Sequence, residues 1–250
     1  MPTHDDVDAF LTDTLVGADA ALDAALRAQH EAGMPAIEVA PVNAKFLHLL
    51  ARIAGARRIL EIGTLAGYST IWFARAVGEG GRVVTIEAEP AHAAVARENL
   101  ERAGVADRVD ILLGRGTEVL PTLDGGAPFD LVFVDADKES NEIYLDWAAR
   151  LGRPGTVVVL DNVVRGGEVA DAGTADAKVQ GARRGILMLG EDPRFDASAL
   201  QTLDRKGWDG VAVAIVTDAP APESADPPDR DDARGTASAA SVPTVGGRGH

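Results

Sequence analysis

Two apolar runs in this chain end in polar clusters with the residue types of a hard-metal site. Phe129–Val134 runs into Asp135-Ala136-Asp137-Lys138, and Thr156–Leu160 runs into Asp161-Asn162. Asp135, Asp161 and Asn162 offer only oxygen donors, which suit Mg²⁺, Mn²⁺ or Ca²⁺ and not zinc. Three protein ligands on an ion that takes about six leave positions for a chelating substrate with two adjacent hydroxyls. Such an ion lowers the pKa of a hydroxyl by Lewis-acid action. Lys138, one short turn after Asp135, is placed to take the proton. A lysine does so only with a depressed pKa, which a nearby dication and partial burial would supply.

A second set suggests a nucleoside. Ile59-Leu60-Glu61-Ile62-Gly63 is followed by Thr64-Leu65-Ala66-Gly67-Tyr68-Ser69, a strand, a glycine-bearing turn and a helix start. Gly63 and Gly67 allow close backbone approach. Their spacing is neither the Gly-x-Gly-x-x-Gly of dinucleotide turns nor a P-loop. That disfavours a pyrophosphate cradle and, with it, an NAD-dependent dehydrogenase. Glu61 lies within the strand end and needs a partner if buried; a cationic ligand or turn amides would serve. Glu87 ends the next apolar run, where an acid can accept hydrogen bonds from ribose hydroxyls.

These residues need elements that bring them to one edge. Val- and Ile-rich runs of this length read as strands buried on both faces, and ligands of open α/β sheets gather at the carboxyl edge. Strands are expected over 58–63, 82–87, 108–113, 129–135, 156–160, 197–202 and 209–216. Helices are expected over 6–29, 41–53, 69–77, 90–102, 117–123, 141–151 and 174–190. The last two strands would be joined tightly through Lys206-Gly207-Trp208. Alternating units predict an α/β, doubly wound, mainly parallel sheet of seven strands with an antiparallel closing strand. There are too few units for a (β/α)₈ barrel. Trp72, Trp147 and Trp208 are read as packing residues.

The 250 residues divide into an N-terminal helical segment (1–34), a main domain (35–217) and a Pro- and Asp-rich tail (218–250) with no apolar periodicity. A net charge of −15 argues against nucleic acid, which needs a basic footprint. No run approaches the roughly 18 apolar residues of a membrane span. The acidic N-terminus is unlike a signal peptide, so a cytoplasmic protein is expected. With no cysteine, thiol chemistry is excluded.

In order, Leu60-Glu-Ile-Gly-Thr64, Gly67-Tyr-Ser69, Phe133-Val-Asp-Ala-Asp-Lys138 and Asp161-Asn162 resemble the cation-dependent O-methyltransferases. That family includes catechol and caffeoyl-coenzyme A O-methyltransferases, and the likeness is to its bacterial branch, over roughly 35–216. It implies a Rossmann-like methyltransferase sheet, S-adenosylmethionine as donor, Mg²⁺ as the usual metal, a hydroxylated aromatic acceptor and a homodimer. By resemblance Glu61, Gly63, Gly67 and Ser69 would line the methionine and turn region, and Glu87 would hold the ribose. Glu38-Val39-Ala40 and Val42 would close over the donor. Gly114 and Thr117 would border adenine. Asp135 would serve donor and metal together, with Asp161 and Asn162 completing the metal set and Lys138 as the base. Two departures touch the entry helix and the adenine contacts: Asn43-Ala44-Lys45 replaces a frequent glutamine-glycine pair, and Arg115-Gly116 replaces an acid or alanine. The resemblance leaves open transfer to another oxygen or nitrogen acceptor with the metal secondary. A nucleotide-binding protein without turnover is disfavoured, because it has no use for Lys138.

Overall fold

The computed structural model describes residues 1–221. One sheet holds β1 (Arg58–Ile62), β2 (Arg82–Glu87), β3 (Val109–Leu113), β4 (Leu131–Val134), β5 (Val157–Asp161), β6 (Phe195–Asp204) and β7 (Gly207–Val216). Its order is β3-β2-β1-β4-β5-β7-β6. The first five strands are parallel, and β7 is inserted antiparallel between β5 and β6. The expected doubly wound sheet with an antiparallel closure is therefore present.

Alternation along the strands explains the two layers. Ile59 and Phe133 face one side, where Leu47, Ile71 and Phe73 cover them. Leu60, Ile62, Val132 and Val134 face the other, under Tyr144, Leu145 and Leu189. The covering helices are α3 (Pro41–Ile53) and α4 (Tyr68–Val77) on the first side, and α7 (Asn141–Leu151) and α8 (Ala177–Glu191) on the second. Also present are α1 (His4–Leu11), α2 (Ala20–Glu31), α5 (Pro90–Arg102) and α6 (Gly116–Val119).

Besides shifts of one or two residues at strand ends, four elements differ from the sequence reading, each for a local reason. The helix expected over 6–29 is broken: a π-helical turn, Thr12–Val16, stops at Gly17 (φ +72°). A new helix then starts under the Asp19 side chain, which accepts the Ala21 and Leu22 amides at 3.1 Å. The helix expected over 117–123 keeps its form only to Val119 and tightens to a 3₁₀ turn around Pro121, which has no amide to give. The helix expected from 174 begins at Ala177, capped by Asp176. The closing hairpin is longer than expected and turns at Arg205-Lys206, since Asp204 already pairs with Gly207.

Within the first 34 residues, Leu22 and Ala25 join the same core as Tyr68 and Trp72. The tail expected from 218 lies outside the described residues beyond 221. Among the described residues no helix is long and apolar enough to cross a membrane.

Candidate active site

The carboxyl ends of β1, β2, β4 and β5 open on a cleft of about 980 Å³. At its nucleoside end the turn after β1 approaches the end of β4 closely. A Cβ on Gly63 (φ +104°) would lie 2.1 Å from the Asp135 carbonyl oxygen. Any other residue there would push the two strand ends apart. Glu87 sits across this turn. One of its oxygens accepts the Thr64 and Leu65 amides at 3.2 and 2.8 Å, and the other accepts the Glu89 amide at 3.0 Å. A carboxylate has about four acceptor sites, so Glu87 is both fixed by the backbone and able to accept once more from a ligand hydroxyl in the cleft.

Glu61 is fully buried, and its hydrogen-bond partners are side-chain hydroxyls, not the turn amides. Ser69, Thr70 and Thr85 donate their hydroxyls to it at 2.6, 2.5 and 2.7 Å. Thr85 is its cross-strand neighbour on β2. Burial pushes the Glu61 carboxyl up to about 7, against the pull of these three donors. The residue locks α4 to β1 and β2 from behind the cleft.

At the chemical end, Asp135 follows β4 and Asp161 ends β5, one register step beyond the paired Val134 and Leu160. Lys138 is buried, and its ammonium stands 2.9 Å from Asp135 Oδ1. Asp161 is partly exposed. Desolvation, then the charge of Asp135, push its carboxyl up to about 7, with the Lys138 ammonium opposing. Asp161 Oδ1 accepts the Asn162 amide at 2.8 Å. Asn162 itself is left-handed (φ +60°), a conformation that asparagine tolerates better than most residues. Among the described residues no three acidic, histidine or cysteine side chains form a metal cluster; the set here is two carboxylates and one carboxamide. A second cavity of about 190 Å³ adjoins it, walled by Asp161, Asn162, Arg165, Trp208 and the β6–β7 turn.

The model of the O-methyltransferase family matches residues 17–211. A catechol O-methyltransferase from Mycobacterium tuberculosis is 58% identical over 216 residues, 86% of this chain and 97% of that protein. One from Niastella koreensis is 50% identical over 212 residues, covering 84% and 96%. This chain belongs to the O-methyltransferase family. An O-methyltransferase from Bacillus cereus, solved in complex with SAH, superposes with a TM-score of 0.82 at 48% identity, over 84% of this chain and 97% of that one. The protein is thus a class I, S-adenosylmethionine-dependent O-methyltransferase with a Rossmann-like sheet.

In this O-methyltransferase Gly63, Ser69, Glu87, Gly114, Asp135, Lys138 and Asn162 share the main cleft wall. Glu38 and Val39 also line it, while Ala40 and Asp161 line the smaller cavity. Four expected lining residues stand off the wall. Glu61 is consumed by the three hydroxyls. Gly67 caps the start of α4 at φ +83°, and a Cβ there would lie 3.4 Å from the Ala96 Cβ. Val42 is already inside α3, and Thr117 inside α6, so their neighbours Val39, Arg115 and Gly116 face the cleft instead. Tyr68, which lies within the Gly67-Tyr-Ser69 motif, also lines it, as do His92 and Tyr144, which no motif announced. Tyr144 donates to Asp137 at 2.5 Å, and Ser140 donates to the other oxygen, which secures the Lys138 turn. Trp208, read as a packing residue, is half exposed and walls the smaller cavity.

Proposed function

We propose that this O-methyltransferase methylates one hydroxyl of a vicinal dihydroxy aromatic and that Asp135, Asp161 and Asn162 hold a divalent cation, Mg²⁺ by preference. The observation that carries this reading is the meeting of Lys138 with that oxygen set at the strand ends, beside the cleft holding Glu87. The donors fit the ion: all are hard oxygens, and Asp161 and Asp135 repel one another while the Lys138 ammonium opposes that repulsion. When bound, the ion supplies Lewis acidity that makes the acceptor hydroxyl a better acid.

As the neutral amine, Lys138 would take the hydroxyl proton at Nζ and become the ammonium that faces Asp135. The freed oxygen forms the new C–O bond as the methyl–sulfur bond breaks, and the donor leaves as a neutral thioether. Glu87 and the Gly63 turn fix the nucleoside, so that oxygen, methyl and sulfur lie in line. Val39 and Glu38 exclude water from above. The catechol O-methyltransferases named above support the acceptor class. With excess chelator, methyl transfer to a catechol is expected to stop, and added Mg²⁺ to restore it. Undiminished transfer under chelation overturns the metal role. A preference for monohydroxy or amine acceptors overturns the acceptor class.

Homodimerisation belongs to the same proposal. Val7, Phe10 and Leu15 near the N-terminus and Ile53 on α3 expose large apolar side chains. Light scattering should give twice the chain mass. A cytoplasmic setting, where the donor is available, goes with this reading.

A further inference from the structure

Arg165 lines both the main cleft and the smaller cavity. Among the described residues its guanidinium has no ion-pair or hydrogen-bond partner; only its backbone amide is bonded. That backbone is left-handed at φ +54° and leads into Gly166 and Gly167, at φ +65° and +90°. A non-glycine residue keeps such a conformation only where its surroundings impose it.

Asp209 imposes it. One of its oxygens accepts the Val164, Arg165 and Gly210 amides at 3.1, 3.1 and 2.9 Å. The closing hairpin thus fixes the loop after Asn162 and aims a cation at the place where the acceptor must lie. The other charges of the smaller cavity are engaged. Asp204 accepts the Asn43 amide at 3.2 Å and the Lys206 backbone amide at 2.7 Å. The Lys206 ammonium donates to the Glu38 carbonyl at 2.5 Å. Exposed Asp176, whose carboxyl is lowered chiefly by the Val179 and Lys178 amides and only weakly by Arg165, caps α8. Lys178, on the main cleft wall, likewise makes no ion pair among the described residues.

A guanidinium presents a planar fork that matches a carboxylate. Beside it Trp208 offers an aromatic face, packed against Gly167. We infer that Arg165 selects acceptors carrying a carboxylate on the side of the ring away from the two hydroxyls. This inference rests on the function proposed above.

The test compares kcat/KM for 3,4-dihydroxybenzoate and for catechol itself, with Mg²⁺ present. The wild type is expected to prefer the acid tenfold or more. Arg165→Gln should lower that ratio at least tenfold, mainly through KM for the acid, and Arg165→Lys should fall between. A wild-type ratio near one overturns the inference. So does an Arg165→Gln loss equal for both acceptors, or a rise in donor KM equal with both, which would assign the guanidinium to the donor's carboxylate. If folded protein that binds S-adenosylhomocysteine methylates neither compound, the proposed function itself falls.

Discussion

Glu61 shows how a residue's type can be legible while its role is not. An acid inside a strand end predicts a partner, and the sequence supplies several candidates; only the fold brings Ser69, Thr70 and Thr85 to it. The consequence is a pH-dependent stability. Its folded pKa of about 7 exceeds the ordinary 4.5. Below pH 4.5 both folded and unfolded chains carry the proton. As pH rises from there to about 7, the unfolded chain releases it first, so stability falls across that window and is level above it. The loss is at most about 3 kcal/mol. Denaturant midpoints measured from pH 4 to 8 should fall with pH in the wild type and fall less steeply in Glu61→Gln, where the raised carboxyl of Asp161 still contributes. Lys138 makes the opposite case, since its contact with Asp135 is legible from their three-residue spacing, and its proposed role as base can be tested directly. Lys138→Met should lower kcat by about 10²–10⁴. Binding of S-adenosylhomocysteine, followed by calorimetry, should change little.

At the scale of elements, strands were the easiest to read, because a run buried on both faces must be uniformly apolar. The junctions were harder. The strand-ending acids were visible, but not that β1 and β4 approach so closely that Gly63 has no room for a methyl group. Gly63→Ala should therefore destabilise the fold by about 2–4 kcal/mol, read as a lowered denaturant midpoint, and weaken donor binding as well. The break at Gly17, the 3₁₀ turn at Pro121 and the two-residue hairpin turn depend on caps and pairings that hydrophobic periodicity does not encode.

The whole molecule couples these parts through ligand binding. The nucleoside end is built on turn amides gathered around Glu87, so the folded state alone offers the site. S-adenosylhomocysteine at a hundred times its Kd should add about 2.7 kcal/mol of stability. For a chain of this size that is a rise in Tm of about 5–10 °C, measurable by thermal shift. Glu87→Ala should remove most of the rise. An unchanged Tm shift in that variant would show that Glu87 does not hold the donor.

The sequence by itself determined the sheet and its antiparallel closure, and it placed Asp135, Lys138, Asp161 and Asn162 at or just beyond strand ends. The reason is that buried strands, and polar residues confined to their ends, leave a local pattern of residue types. Asp135, Lys138, Asp161 and Asn162 lie within or directly beside such patterns. Only the tertiary structure decided that Glu61, Gly67, Val42 and Thr117 stand off the cleft wall, and that Arg115 and Tyr144 stand on it. Which face a helix or loop residue presents depends on how distant segments pack. Asp209 reaches back across the hairpin to set Arg165, and no local pattern records a contact of that kind.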